Sequence, residues 1–194
     1  QWVKNGFVFT GLLFGHAWHD TALVVQVVVA AISFSLVSSC IYIINDIFDR
    51  EQDKYHPKKQ NRPLAAGTVS VTAAIILAAV LSVAAFALAY WVSATALWII
   101  VGYAVMNLAY TFRFKHVVIL DVFIIAAGFM LRILVGTLGV DIPPSQWLLL
   151  CGLMVTLFLG FAKRRAEIIA LTDDKTAHRR VLEHYSPILL DHMI

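Results

Sequence analysis

Charge is scarce in this chain: 14% of its 194 residues are Asp, Glu, Lys or Arg, against 60% that are hydrophobic. A soluble domain of this length carries roughly 25% charged and about 45–50% apolar residues. The deficit excludes an ordinary soluble globule. Because the apolar residues come in long blocks, the excess marks bilayer spans rather than an oversized core. Cysteine is nearly absent. Cys40 and Cys151 both fall inside apolar blocks, so neither a disulfide framework nor zinc-ligand spacing is present, and both read as reduced, inert small hydrophobes. No repeat or low-complexity tract stands out. No cleavable signal peptide is recognisable, since the first apolar run lacks a small-residue cleavage site. The opening at Gln1 and the amphipathic close at Ile194 suggest a piece of a longer protein.

Apolar runs predict six spans, at about 5–16, 21–44, 71–92, 95–112, 117–137 and 146–162. Lysine and arginine are missing from three of the turns between them: His16–Asp20, Val92–Ala94, and Gly139–Ser145 with its Pro143-Pro144 pair. The other connections are basic. Residues 45–70 hold Arg50, Lys54, Lys58, Lys59 and Arg62, residues 113–116 hold Arg113 and Lys115, and the tail begins Lys163-Arg164-Arg165. The positive-inside rule then gives one topology, with the amino terminus and every basic segment on the cytoplasmic side. Lys4 agrees with it. The fold class is therefore all-α, a polytopic helical bundle forming a single transmembrane domain over 1–194. The two long cytoplasmic segments follow the second and sixth spans, a spacing that hints at two helical halves facing one site.

The second span runs into Asn45-Asp46-Ile47-Phe48-Asp49-Arg50-Glu51-Gln52-Asp53. On a continuing helix, Asp46, Asp49 and Asp53 (i, i+3, i+7) share one face, bordered by Asn45. A solvated helix end is the bland alternative, and electrostatics weigh against it. The carboxyl end of a helix is its negative pole, so each acid there costs roughly 0.3–1 kcal/mol, and three on one face repel each other. A divalent cation relieves both. Mg²⁺ takes hard oxygen ligands and joins one or two carboxylates to substrate phosphates, which makes the three aspartates candidate metal ligands and catalytic residues. The loop then supplies bases: Lys54, His56, Lys59 and Arg62 beside Pro63. Membrane anchoring would explain any single lysine. Arg62 is the better candidate ligand, because a guanidinium forks onto phosphate oxygens.

Asn45-Asp46-x-x-Asp49-x-x-x-Asp53 at the end of a span, followed by His56-Pro57-x-Lys59-x-x-Arg62-Pro63-x-x-x-Gly67, resembles the UbiA superfamily of intramembrane prenyltransferases. Several further stretches are similar to its polyprenyl-phosphate phosphoribosyltransferase branch, the decaprenyl-phosphate enzymes above all. These are Gln1-Trp2-x-Lys4-Asn5, then Tyr110-x-x-Arg113-Phe114-Lys115-His116-x-x-x-Leu120-Asp121-Val122, and Gly128-Phe129-x-Leu131-Arg132. Lys163-Arg164-Arg165-x-Glu167 and His184-Tyr185-Ser186-Pro187 extend the likeness over nearly the whole chain. The resemblance implies a fold of about nine helices, three of them absent here, and a fragment that is inactive alone. It implies transfer of a 5-phosphoribosyl group from phosphoribosyl diphosphate to a long-chain polyprenyl phosphate, with release of diphosphate and dependence on Mg²⁺. It also implies the bacterial inner membrane, with the site on the cytoplasmic side. A homo-oligomer is compatible with these features, and no nucleic-acid partner is expected.

There is one departure from aromatic prenyltransferases, which carry a second aspartate motif after their sixth helix. Here that place holds Lys163, Arg164, Arg165 and Glu167. One acidic motif facing a basic cluster suits a donor bearing a diphosphate and a further phosphate. Anchoring at a span end is the simpler reading of the cluster. Asp121 and Arg132 fall within the fifth span, eleven residues and about 16 Å apart on one helical face, with Gly128 and Gly136 on the same stripe. Intramembrane charges are costly and face a bundle interior or a wet cavity. Asp121 is placed within reach of the donor. Arg132 is expected to meet an acid or an anionic lipid head, with a structural pairing as the rival. Tyr103, Asn107 and Tyr110 line one face of the fourth span, for packing or for binding; Tyr110 and Lys115 join the substrate-binding candidates. Two other functions remain. A prenyltransferase acting on an aromatic acceptor would share the metal clamp but carry the diphosphate on its lipid. A cation transporter is disfavoured, because the acids lie at the membrane edge and no broken helix pair marks the midplane.

Overall fold

The computed structural model describes residues 2–55, 59–113 and 119–171, with side chains through 166. Among the described residues every regular element is helical. A 3-10 segment, Trp2–Phe9, leads into α1 (Thr10–Phe14), followed by α2 (Thr21–Asp53), α3 (Val71–Val92), α4 (Ala94–Phe112), α5 (Leu120–Val135) and α6 (Gln146–Leu171). Five helices are long and apolar enough to cross a membrane, matching the second to sixth predicted spans. The predicted span at 5–16 is instead the 3-10 segment plus α1, at most about 24 Å long, laid against α2 and α5.

Local chemistry sets the helix ends. Asp20 caps α2, its Oδ1 accepting from the amides of Ala22 and Leu23 at 2.9 and 3.2 Å. Ser93 alone separates α3 from α4. Its extended backbone breaks the helix, and its Oγ accepts from Ala96 N at 2.9 Å while donating to Gly139 O at 2.7 Å. The lysine-free turn at 92–94 is thus a one-residue corner tied to the 3-10 turn Leu138–Val140 that follows α5. Helix α6 runs past the predicted end at 162 to Leu171. Hydropathy stops at Lys163, but Lys-Arg-Arg-Ala-Glu are good helix formers and the backbone continues.

The core lies around α2. Val27, Ala30, Phe34, Val37 and Ile41 are buried against Ala85, Ala89, Ala96, Ile100, Tyr103 and Val135. Ala74, Ala78, Ala85 and Ala89 are the buried residues of α3, a small-residue stripe that lets α2 approach closely. Ser33 Oγ donates across that contact to Ala85 O at 2.7 Å. The amino-terminal segment packs just as tightly. A Cβ at Gly136 would collide with Val8 O, and one at Gly11 with Gly136 O. Gly136→Ala is therefore expected to push the segment off α5, at a cost of about 1–3 kcal/mol by overpacking. Unfolding of the detergent-solubilised protein would measure this; a variant as stable as the parent would contradict the close crossing.

The 33 residues of α2 extend about 50 Å, whereas the hydrocarbon core is about 30 Å thick. The excess is what carries the aspartates clear of the apolar layer.

Candidate active site

The loop after α2 folds back on the helix it leaves. Leu64 is buried, and its carbonyl accepts from Arg50 Nε at 3.2 Å. Ala66 N donates to Arg62 O, and Val69 N and Thr68 Oγ to Pro63 O. Gly67, at φ +75°, makes the left-handed turn that closes the loop, a conformation glycine adopts without strain.

This turn sets Arg62 over the aspartates. Its Nη1 donates to Asp46 Oδ1 at 2.7 Å and to Asp53 Oδ2 at 2.8 Å. Lys59 Nζ lies 3.5 Å from the other oxygen of Asp53. Asp53 is buried and Asp46 half-buried, so both carboxylates need this compensation. Asn45 Nδ2 donates to Asp49 Oδ2 at 3.2 Å. Lys54 is drawn to Glu51 instead, at 2.8 Å on the surface. Among the described residues no three acidic, His or Cys side chains converge as one metal cluster. The pair Asp46 and Asp53 does converge, on the cationic nitrogen of Arg62.

Mg²⁺ fits that pair. It is typically held by one or two carboxylates together with substrate phosphates. The two oxygens that share Nη1 can be no further apart than about 5.5 Å, and oxygens on opposite sides of Mg²⁺ stand about 4 Å apart. A small side-chain adjustment or one bridging water closes the difference.

The intramembrane charges have found partners. Arg164 Nε lies 2.8 Å from Asp121 Oδ2, with side chains only 2% and 3% exposed. This ion pair ties the start of α5 to the far end of α6. Arg132 is also buried, and its described partners are neutral. Nε donates to Asn5 Oδ1 at 2.8 Å, Nη1 to Gly128 O at 2.7 Å and Nη2 to Tyr103 Oη at 3.2 Å. The rings of Phe34, Tyr103 and Phe129 surround the guanidinium at 4.8–5.3 Å. Lys163 is exposed, while Arg165 and Tyr110 are half-buried. His56, Lys115 and the Glu167 side chain lie outside the described residues.

Asn5, present in the sequence only as part of the Gln1-Trp2-x-Lys4-Asn5 likeness and without a role of its own, joins α5 to α2 by donating from Nδ2 to Ser35 Oγ at 2.7 Å. Trp2 Nε1 donates to Ser39 Oγ at 3.1 Å, and Ser38 Oγ to Tyr103 Oη at 3.3 Å. The α2 face used here runs on through Tyr42 to Asp46, Asp49 and Asp53, at steps of three or four residues, with Asn45 at its border.

The description "UbiA prenyltransferase family" matches residues 6–189. The chain belongs to that family. It is 37% identical, over 96% of its own length and 60% of the relative's, to a decaprenyl-phosphate phosphoribosyltransferase of Mycolicibacterium smegmatis. A Mycobacterium tuberculosis protein of the same name is 34% identical over 98% of the chain and 64% of the relative. A 4-hydroxybenzoate octaprenyltransferase of Cupriavidus necator is 34% identical over 59% of the chain and 41% of the relative. The chain thus spans about 60% of the length of the first two relatives. Among solved structures, a digeranylgeranylglyceryl phosphate synthase matches with a TM-score of 0.76 at 19% identity, covering 98% of this chain and 67% of that one. A UbiA homologue of Archaeoglobus fulgidus, bound to DMAPP and Mg²⁺, matches with a TM-score of 0.74 at 17% identity, covering 99% and 68%. These likenesses show the UbiA-type helical fold.

Proposed function

We propose that the protein to which this chain belongs transfers a 5-phosphoribosyl group from phosphoribosyl diphosphate to a polyprenyl phosphate, releasing diphosphate. The observation that carries this reading is the extent of the match. Likeness to the phosphoribosyltransferases runs through nearly the whole chain, whereas likeness to the aromatic prenyltransferase stops at little over half of it. The basic end of α6, at Lys163-Arg164-Arg165, is consistent with it. We place the site on the cytoplasmic side of a bacterial inner membrane; the distribution of lysine and arginine supports that orientation.

An oxygen of the acceptor phosphate bonds to the anomeric carbon as the bond to the diphosphate breaks, and the electron pair leaves with the diphosphate. The acceptor phosphate is already ionised at neutral pH, so no strong general base is required. Mg²⁺ bound to Asp46 and Asp53, with Asp49 beside them, would neutralise the charge growing on the leaving group. Without metal Arg62 bridges both carboxylates; with Mg²⁺ between them its guanidinium would be released to fork onto the diphosphate oxygens. Lys59 shares in this through Asp53. The acceptor's apolar chain enters between helices, which accounts for a sugar-transfer enzyme in a membrane.

The product decides the reaction class. Mass spectrometry of lipid from the full-length protein incubated with both substrates should show the acceptor enlarged by one ribosyl phosphate unit. A prenylated aromatic product, with polyprenyl phosphate unchanged, would overturn the proposal. Arg62 makes a separate prediction. Its nitrogen occupies the position between carboxylates that a metal would take, so Arg62→Gln should tighten Mn²⁺ binding to substrate-free protein, measured by electron paramagnetic resonance, while transfer falls. Unchanged Mn²⁺ affinity would place the metal elsewhere.

A further inference from the structure

Arg62 spends one nitrogen on two carboxylates: Nη1 donates to Asp46 Oδ1 at 2.7 Å and to Asp53 Oδ2 at 2.8 Å. A guanidinium has five donors, three of them on Nε and Nη2, and this side chain is 36% exposed. A metal held by the same two oxygens and the guanidinium in this position exclude each other.

The backbone beneath Arg62 is held without help from its side chain. Arg62 N donates to Lys59 O at 2.9 Å, and Ala66 N to Arg62 O at 2.8 Å. The carbonyl of Pro63 accepts from Val69 N and Thr68 Oγ, and that of the buried Leu64 from Arg50 Nε on α2. The guanidinium can therefore leave the aspartates by side-chain rotation while the turn stays docked.

Charge decides when it leaves. The Asp53 side chain is 4% exposed and has two cations, Arg62 and the Lys59 ammonium at 3.5 Å; the ion pair of Asp46 is with Arg62. An anion that drew the guanidinium away alone would strip both carboxylates of this partner, at the cost of leaving a buried charge under-compensated. A divalent cation alone must displace a guanidinium held by two charge-assisted hydrogen bonds and then tolerate it close by as a like charge. When both ligands arrive, the cation takes the carboxylates, the anion takes the guanidinium, and each charge has a partner.

We infer that Arg62 is a latch that makes the site resist Mg²⁺ alone and a diphosphate alone and admit them together. Each ligand then raises the affinity for the other by the same factor. When diphosphate and metal depart, the guanidinium returns to Asp46 and Asp53 and closes the site to free metal between turnovers. The latch rests on the reading under Proposed function for the metal and the diphosphate, and is independent of which group is transferred.

Metal and diphosphate attract each other in any site, so cooperativity alone does not identify the latch. Its signature is a change of sign. Two affinities are measured on the full-length protein in detergent, for the parent and for Arg62→Gln: Mn²⁺ alone by electron paramagnetic resonance, and radiolabelled inorganic diphosphate in excess Mn²⁺ by equilibrium dialysis. Arg62→Gln should bind Mn²⁺ alone more tightly by about fivefold or more, and the diphosphate with Mn²⁺ more weakly by about tenfold or more. Tightening of both would make Arg62 a repelling charge, and weakening of both a mere support for the carboxylates. An effect on the diphosphate alone would make it an ordinary phosphate ligand. Each of these overturns the latch, as does any other pair of signs. Should Arg62→Gln fail to fold, Arg62→Lys keeps a cation beside Asp53 but not the fork, and should show the same reversal at smaller amplitude; parent affinities for both ligands in that variant would overturn the latch. A protein that shows the reversal but makes no ribosylated lipid keeps the latch and loses the reaction, whereas one that makes the lipid without the reversal loses the latch alone.

Discussion

Asp46→Asn should lower transfer by about 100- to 1000-fold at saturating metal, the usual effect of removing one group that stabilises developing charge. That corresponds to about 2.7–4 kcal/mol of transition-state stabilisation. The asparagine is isosteric, and its carbonyl can still accept from Arg62, so the loop should keep its place. Asp46 is half-buried, so the fold should tolerate the change. The loss should therefore fall on turnover, with detergent-phase size exclusion and helix content unaltered. Asp53→Asn should lose activity comparably but also stability, because Asp53 is buried between Arg62 and Lys59. An Asp46→Asn protein that transfers within about threefold of the parent would remove Asp46 from the leaving-group site.

The second large effect lies away from the aspartates. Asp121→Ala takes away the carboxylate 2.8 Å from a guanidinium that is 2% exposed. Breaking one side of a buried pair costs about 3–5 kcal/mol, because the remaining charge has lost its counter-charge. Asp121→Ala combined with Arg164→Leu should recover much of that loss, since replacing both members by apolar groups is often near neutral. Thermal unfolding in detergent separates the cases. If the double variant is as unstable as Asp121→Ala, the pair is not what joins α5 to α6. If it is stable yet inactive, both side chains also serve the substrates, as their place in the sequence suggested.

Much of this was legible from single segments. Five spans follow from hydropathy alone, and the aspartate motif marks the place where α2 outruns the hydrocarbon. Gly136, on the same stripe as Asp121 and Arg132, is a point of close approach, against Val8. The parts that were not legible depend on contacts between distant segments. Asp121 and Arg164 each looked like a substrate ligand when read singly, and neither carries a local sign of the other. Arg132 was expected to meet an acid or a lipid head, but its first partner is Asn5, 127 positions away. Arg62 was expected to hold phosphate; that it also bridges Asp46 and Asp53 depends on the turn at Leu64–Gly67, whose shape the spacing does not encode. The first predicted span failed as a regular α-helix because apolar content does not distinguish a 3-10 segment from an α-helix.

The most direct test of the account follows the label. Full-length protein is incubated with polyprenyl phosphate and phosphoribosyl diphosphate labelled in the ribose, with and without Mg²⁺, and the lipid phase is counted. Label should enter the lipid only with metal, and should be lost in Asp46→Asn. No label in the lipid, from a protein that does join a labelled prenyl diphosphate to an aromatic acceptor under the same conditions, would contradict it.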